Sequence, residues 1–140
     1  MLVVVGLAAA CATTERTDIG TCAIRPGANC AGNYMKGSRL AYSILSGAKL
    51  DFADLTKANL AWSSLAGARM RRAVLERANL VGAQLGYADL QGANLTGANL
   101  SGAILTYTNL YGAQVQGARF TDALYCRTIM SDGTVANPDC

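Results

Sequence analysis

The sequence predicts an all-β solenoid, and three periodic observations carry that prediction. A large apolar residue recurs every five positions from Leu40 to Met130, nineteen times without a break. The residue two before each of these centres is small, from Ser38 through Thr128. Glycine stands two after the centre at positions 47, 67, 82, 92, 97, 102, 112 and 117. A period of five matches neither the 3.6 of a helix nor the 2 of a plain strand, so each unit is a short straight piece followed by a corner. The large residue fills the middle of a side, and the small one lets the backbone turn. Glycine relaxes the φ restriction at the corner. Stacked units then lie about 4.8 Å apart with parallel backbone pairing. A period sustained this long marks a repeat architecture.

The clearest stretch, Ala88 to Gly102, reads ADLQG ANLTG ANLSG. With its Ala, then Asn or Asp, then Leu, then two variable residues, the chain resembles the pentapeptide-repeat family over residues 38–132. The resemblance implies a right-handed quadrilateral β-helix, a pentapeptide-repeat solenoid of about five coils with four five-residue sides per coil of twenty. In such a fold the centres and the small residues before them point inward, and the other three positions point out. No helix is expected in residues 38–132. Each coil contacts only its neighbours, so stability accumulates along the stack and both ends need protection.

Before the array, residues 1–10 read MLVVVGLAAA, an export-type apolar run too short to span a membrane. The run Leu7 to Cys11 resembles the lipobox of bacterial lipoproteins, which implies a lipoprotein-like signal peptide over 1–10 and lipid on Cys11. An ordinary cleaved signal and an apolar segment of the N-terminal cap are the other readings. Residues 11–21 are polar and aperiodic, as a tether would be. Residues 22–37 form an N-terminal cap, with Pro26-Gly27 as its turn signal. Ala28-Asn29-Cys30 already falls in phase, which turns Cys30 inward.

With Cys11 carrying lipid, Cys22, Cys30, Cys126 and Cys140 remain, an even set confined to the two ends of the array. That placement suits disulfide staples in an oxidising compartment, and proximity along the chain favours Cys22 with Cys30 and Cys126 with Cys140. Buried free thiols and a four-cysteine zinc site are the competing readings; the absence of CxxC spacing argues against zinc. At the far end the centres enlarge to Phe120, Tyr125 and Met130, and Asp132-Gly133 signals a tight turn. Residues 133–140 are expected to fold as a C-terminal cap over the last coil and blunt its open edge.

Residues twenty apart share a column. Tyr42 falls under Trp62 and Tyr87 under Tyr107, while Asn59, Asn79 and Asn99 form an amide column. Such pairs and ladders stabilise stacked β-structure without binding anything, and a partner contact is the alternative. The charge is uneven: residues 36–80 hold eight Lys or Arg against three acids, whereas 81–118 hold only Asp89. Lys49, Lys57, Arg69, Arg71, Arg72 and Arg77 cluster on two adjoining faces beside Phe52, which makes these seven residues the candidate interaction surface. Asp51, Asp54 and Glu76 are near enough to neutralise part of it. The plain reading is a solvated, partly paired surface; the functional one is attraction to an anionic envelope surface or an unknown protein.

The chain has no histidine, no serine-nucleophile motif, no phosphate loop and no paired acids, which argues against an enzyme, a bound cofactor or a metal site. A net charge of +3 is too small to imply nucleic acid. The leading expectation is a non-catalytic structural or protein-interaction solenoid. It is exported to the periplasm or secreted, lipid-anchored to the membrane, and able to pair as a homodimer through a coil end. The alternative comes from the family resemblance: a cytoplasmic DNA-mimic protein that binds type II topoisomerase, a role calling for a negative rod.

Overall fold

The computed structural model describes residues 22–140; the leader, the tether and Cys11 lie outside the described residues. Throughout the array the backbone pairs with itself at a constant offset of twenty, in parallel. One ladder runs Asn29, Lys49, Arg69, Asp89, Asn109, Ile129; three more start at Tyr34, Arg39 and Ile44, each five residues further on. The spacing of five along the chain thus becomes four ladders around the stack.

Each side contributes one bridging residue, because the rest of the unit is spent on the corner. The Leu80 N–H donates to the Asn99 carbonyl at 2.7 Å in one direction along the stack, and the Asn79 N–H to the Ala58 carbonyl at 2.9 Å in the other. The Ala78 N–H closes the preceding turn on the Leu75 carbonyl at 3.0 Å. The third residue of that turn, Arg77, takes a φ of 55°, as a type II turn requires. Among the described residues no helix forms, and the regular strands are β1 (Thr128–Ile129) and β2 (Val135–Ala136), paired antiparallel.

The centres from Leu40 to Leu110 are fully buried, as are Cys30 and Met35 upstream of them. Val115, Phe120, Tyr125 and Met130 pack on the same core but stay partly exposed, at the end of the stack where the irregular tail folds back. At Ser43, Ser63, Thr108 and Thr128 the small inward position carries a hydroxyl that finds a carbonyl, whereas the buried Ser38 hydroxyl has no partner among the described residues. Ser63 Oγ donates to Leu60 O and Thr108 Oγ1 to Leu85 O, both at 2.7 Å. A buried hydroxyl left unpaired would cost more than the alanine it replaces.

Disulfides join Cys22 to Cys30 and Cys126 to Cys140, with Cα atoms 5.2 and 4.9 Å apart. Beyond Asp132 the chain folds back over the last coil. The Met130 N–H donates to the Thr134 carbonyl, the Arg127 N–H to Asn137 Oδ1 and the Tyr125 N–H to Asp139 Oδ2, each at 2.8 Å. The tail therefore supplies acceptors that a further coil would have supplied. Asp132 starts this fold-back by accepting from the Thr134 hydroxyl and N–H, which hold its carboxyl below the usual range. Burial, with Asp139 nearby, pushes the Tyr125 phenol up.

Candidate functional site

Four ladders of twenty turn neighbouring positions in sequence into parallel columns on one face. The face that carries Lys49 and Arg69 holds a second column of Asp51, Arg71, Gln91 and Tyr111, and a corner column of Phe52, Arg72, Gly92 and Gly112. Side chains end abruptly at Gly92 in that corner, and the step leaves a groove of about 470 Å³ between Phe52 and Tyr111. Arg72 reaches across the step: its Cγ lies 3.4 Å from the position a Gly92 Cβ would take.

Asp51 organises the charges. It is buried, pairs with Arg69 Nη2 at 2.8 Å, and accepts from the Arg71 backbone N–H at 3.2 Å. The Arg71 side chain turns the other way and donates its Nε proton to Asp89 Oδ2. That hydrogen bond and the Asp89 charge raise the Arg71 pKa still further. Two cations of the groove are thereby spent on structure. Arg72 forms no ion pair among the described residues, and neither do Lys49 and Lys57. Arg77 meets Glu76 at 3.8 Å, a loose exposed pair of little energetic weight.

Of the seven residues expected to form one surface, Phe52, Arg69, Arg71 and Arg72 line the groove. Lys49 sits one rung from Arg69 on the same ladder but outside the lining. Lys57 and Arg77 occupy the next corner and do not reach it. Asp54 neutralises none of the cations; its Oδ1 instead accepts from the Thr56 N–H and hydroxyl at 3.0 and 2.6 Å. Sequence reasoning missed Gln91, Gly92, Tyr111 and Gly112 as groove residues. Extending the columns from Asp51 and Phe52 by twenty and forty would have found them.

The corner positions carry a second signal. Among the described residues ten non-glycine residues have positive φ, and nine of them are aromatic or basic: Tyr42, Phe52, Lys57, Trp62, Arg72, Arg77, Tyr87, Tyr107 and Arg127. Such a conformation costs a bulky L-residue on the order of 1 kcal/mol, which glycine escapes. Part of the cost is returned locally. Tyr87 stacks on Tyr107 with centroids 4.7 Å apart and planes 5° off parallel, and Arg127 stands over Tyr107 at 5.6 Å. Tyr42 and Trp62 form no such stack, because Trp62 leans onward over Gly82. In the amide column Asn79 Nδ2 donates to Asn59 Oδ1 at 3.3 Å, while each Asn Oδ1 also caps the backbone N–H two residues on.

A family model described as pentapeptide repeats matches residues 27–60, 53–86 and 83–122. Among solved structures, HetL, a pentapeptide repeat protein involved in heterocyst differentiation regulation from the cyanobacterium Nostoc sp. strain PCC 7120, is 35% identical with a TM-score of 0.62. The match covers 77% of this chain and 53% of HetL, so the chain spans about half the length of that protein. A pentapeptide repeat protein from the Arabidopsis thaliana thylakoid lumen is 26% identical with a TM-score of 0.54, covering 77% of this chain and 70% of that one. Among curated proteins no match is found. Pentapeptide-repeat proteins fold as right-handed quadrilateral β-helices and are in general non-catalytic structural or binding proteins. With its twenty-residue ladders, its buried centres and a family match running from residue 27 to residue 122, this chain belongs to the pentapeptide-repeat family.

Proposed function

We propose that this chain is an exported protein-interaction solenoid of about five right-handed coils, anchored to the bacterial envelope by lipid on Cys11, and that its basic groove is the docking surface. One observation carries the reading. Arg72 stands with no ion-pair partner among the described residues, in a strained conformation, between the exposed aromatic rings of Phe52 and Tyr111. An arginine beside aromatic contact area is the usual make-up of a binding hot spot. The occupant that complements it is an acidic segment of a partner protein or an anionic envelope surface.

Export draws support from the apolar leader ending in Cys11 and from disulfides at both ends of the array, which suit an oxidising compartment. The topoisomerase reading calls for a negative rod, and the ladder through Lys49 and Arg69 opposes it.

The test compares the parent with a Phe52→Ala, Arg72→Gln double variant in capture from envelope extract and in sedimentation with vesicles containing anionic lipid. The parent should retain its partner, the variant should lose it, and retention should fall as salt exceeds about 0.1 M, where the screening length is near 10 Å. Identical partners at identical salt dependence would overturn the groove. Recovery of an intact Met1 in soluble cytosol would overturn export and the lipid anchor.

A further inference from the structure

A second face of the stack differs from the basic one in every respect. On the side that carries the ladder Ile44, Ser64, Gln84, Ile104, no outward residue from Tyr42 to Tyr107 is charged. Charge appears only beyond it, at Arg25 on one end and at Asp122 and Arg127 on the other. Yet this face holds six of the ten exposed large hydrophobic residues among the described residues: Tyr42, Ile44, Trp62, Tyr87, Tyr107 and Leu124. Four are rings at corner positions, with φ of 61°, 59°, 60° and 57° for Tyr42, Trp62, Tyr87 and Tyr107. A glycine at any of these corners would be free of backbone strain.

The rings lie along the two edges of the face. Tyr42 and Trp62 occupy one edge, and Tyr87 and Tyr107 the other, with Tyr87 one coil beyond Trp62. Trp62 backs onto the bare backbone of Gly82, where a Cβ would come within 2.6 Å of its Cδ2. Tyr87 offers one ring face to Tyr107. Its column neighbour on the other side is Gly67, and the position a Gly67 Cβ would take has nothing within 4 Å. An open slot therefore lies beside the free side of the Tyr87 ring. Between the two edges run Ser64, Ala66, Gln84 and Gly86, and Ser46 Oγ and Ser64 Oγ share a hydrogen bond of 2.7 Å.

We propose that this face binds a neutral polysaccharide. A protein interface places its apolar anchors at the centre and its polar groups at the rim. Here the order is inverted between Trp62 and Tyr87, with rings at the edges and small hydroxyl and amide groups in the middle. A pyranose has an apolar C–H face that lies against an aromatic ring, and equatorial hydroxyls that pair with Ser and Gln. A linear chain of such units repeats along its length, as the coils do along theirs. The missing charge completes the match, because a neutral sugar returns nothing for desolvating an ion. This inference stands apart from the basic groove, which lies on the adjoining face.

Trp62 is the only tryptophan in the chain, so its emission reports on this face alone. The full chain is titrated with three soluble neutral polysaccharides, hydroxyethylcellulose, dextran and galactomannan, while Trp62 fluorescence is followed and retardation is read in gels containing each polymer. At least one polymer should shift the emission to the blue and retard the protein, equally at low and high salt. Tyr87→Ala, checked by its melting curve, should weaken retardation about tenfold, roughly what one aromatic contact is worth. Trp62→Phe, which keeps a ring, provides a second variant if the first fails to fold, and should lose the signal while keeping part of the retardation. Three results each overturn the proposal: no response to any of the three polymers, binding only to an anionic polymer that salt abolishes, or a Trp62 shift that follows protein concentration as the chain dimerises.

Discussion

Trp62 rests on Gly82, its column neighbour twenty residues on: a Cβ at Gly82 would stand 2.6 Å from the indole Cδ2. The relation recurs in milder form, since Arg72 lies against Gly92 and Arg77 against Gly97, with Cγ distances of 3.4 and 3.3 Å to the corresponding Cβ positions. In three of the four corners, a bulky left-handed residue is thus followed by a glycine that receives it. Gly82→Ala should consequently destabilise more than Gly67→Ala, whose new methyl meets nothing and carries only the backbone cost of about 1 kcal/mol. Chemical denaturation of both, and of Gly82→Ala combined with Trp62→Ala, checks the cause. Removing the indole should bring the Gly82→Ala penalty down to that of Gly67→Ala.

Leu80 is fully buried at the middle of its column; its N–H is tied to the next coil through Asn99, and its carbonyl accepts from the Ala83 N–H to close the following turn. Leu80→Lys places an unpaired charge there at a cost of several kcal/mol and should abolish the cooperative melt. A variant that melts like the parent would mean that the inward phase is misassigned.

Arg69 and Arg72 look alike in sequence and differ in role. Arg69 neutralises the buried Asp51, whereas Arg72 has no ion pair among the described residues. Arg69→Gln should lower stability by about 1–3 kcal/mol by leaving the buried Asp51 without its ion pair, while Arg72→Gln should stay within about 0.5 kcal/mol. Urea melts of the two variants would separate them.

The Cys126–Cys140 bond closes a loop of separation 14 and ties the tail across the last coil. Replacing both cysteines by serine should lower stability by about 3 kcal/mol if the unfolded chain gains the loop entropy. Non-reducing peptide mapping should recover Cys126 linked to Cys140 and Cys22 linked to Cys30.

Tyr125 links the same tail to pH. Its phenol is raised by burial and then by Asp139, so the folded state favours the neutral form. Stability from this group is full below the ordinary phenol value of about 10 and is lost as pH climbs through the raised folded value. Thermal melts across that alkaline window should show a fall that Tyr125→Phe reduces.

The sequence by itself determined the architecture. A five-residue period with a large centre and a small residue two before it leaves one inward phase, and that phase alone places Leu40 to Leu110 in the core. The twenty-residue columns and the two cysteine pairings were legible for the same reason: backbone register repeats, and proximity in the chain becomes proximity in space. Only the tertiary structure decided which side chains meet. Asp51 chose Arg69, Asp54 turned to Thr56, Arg71 reached Asp89, and Trp62 left Tyr42 for Gly82. The columns offer each of these side chains more than one candidate partner, and rotamer and burial select among them. The period determines which residues are neighbours and leaves that selection open.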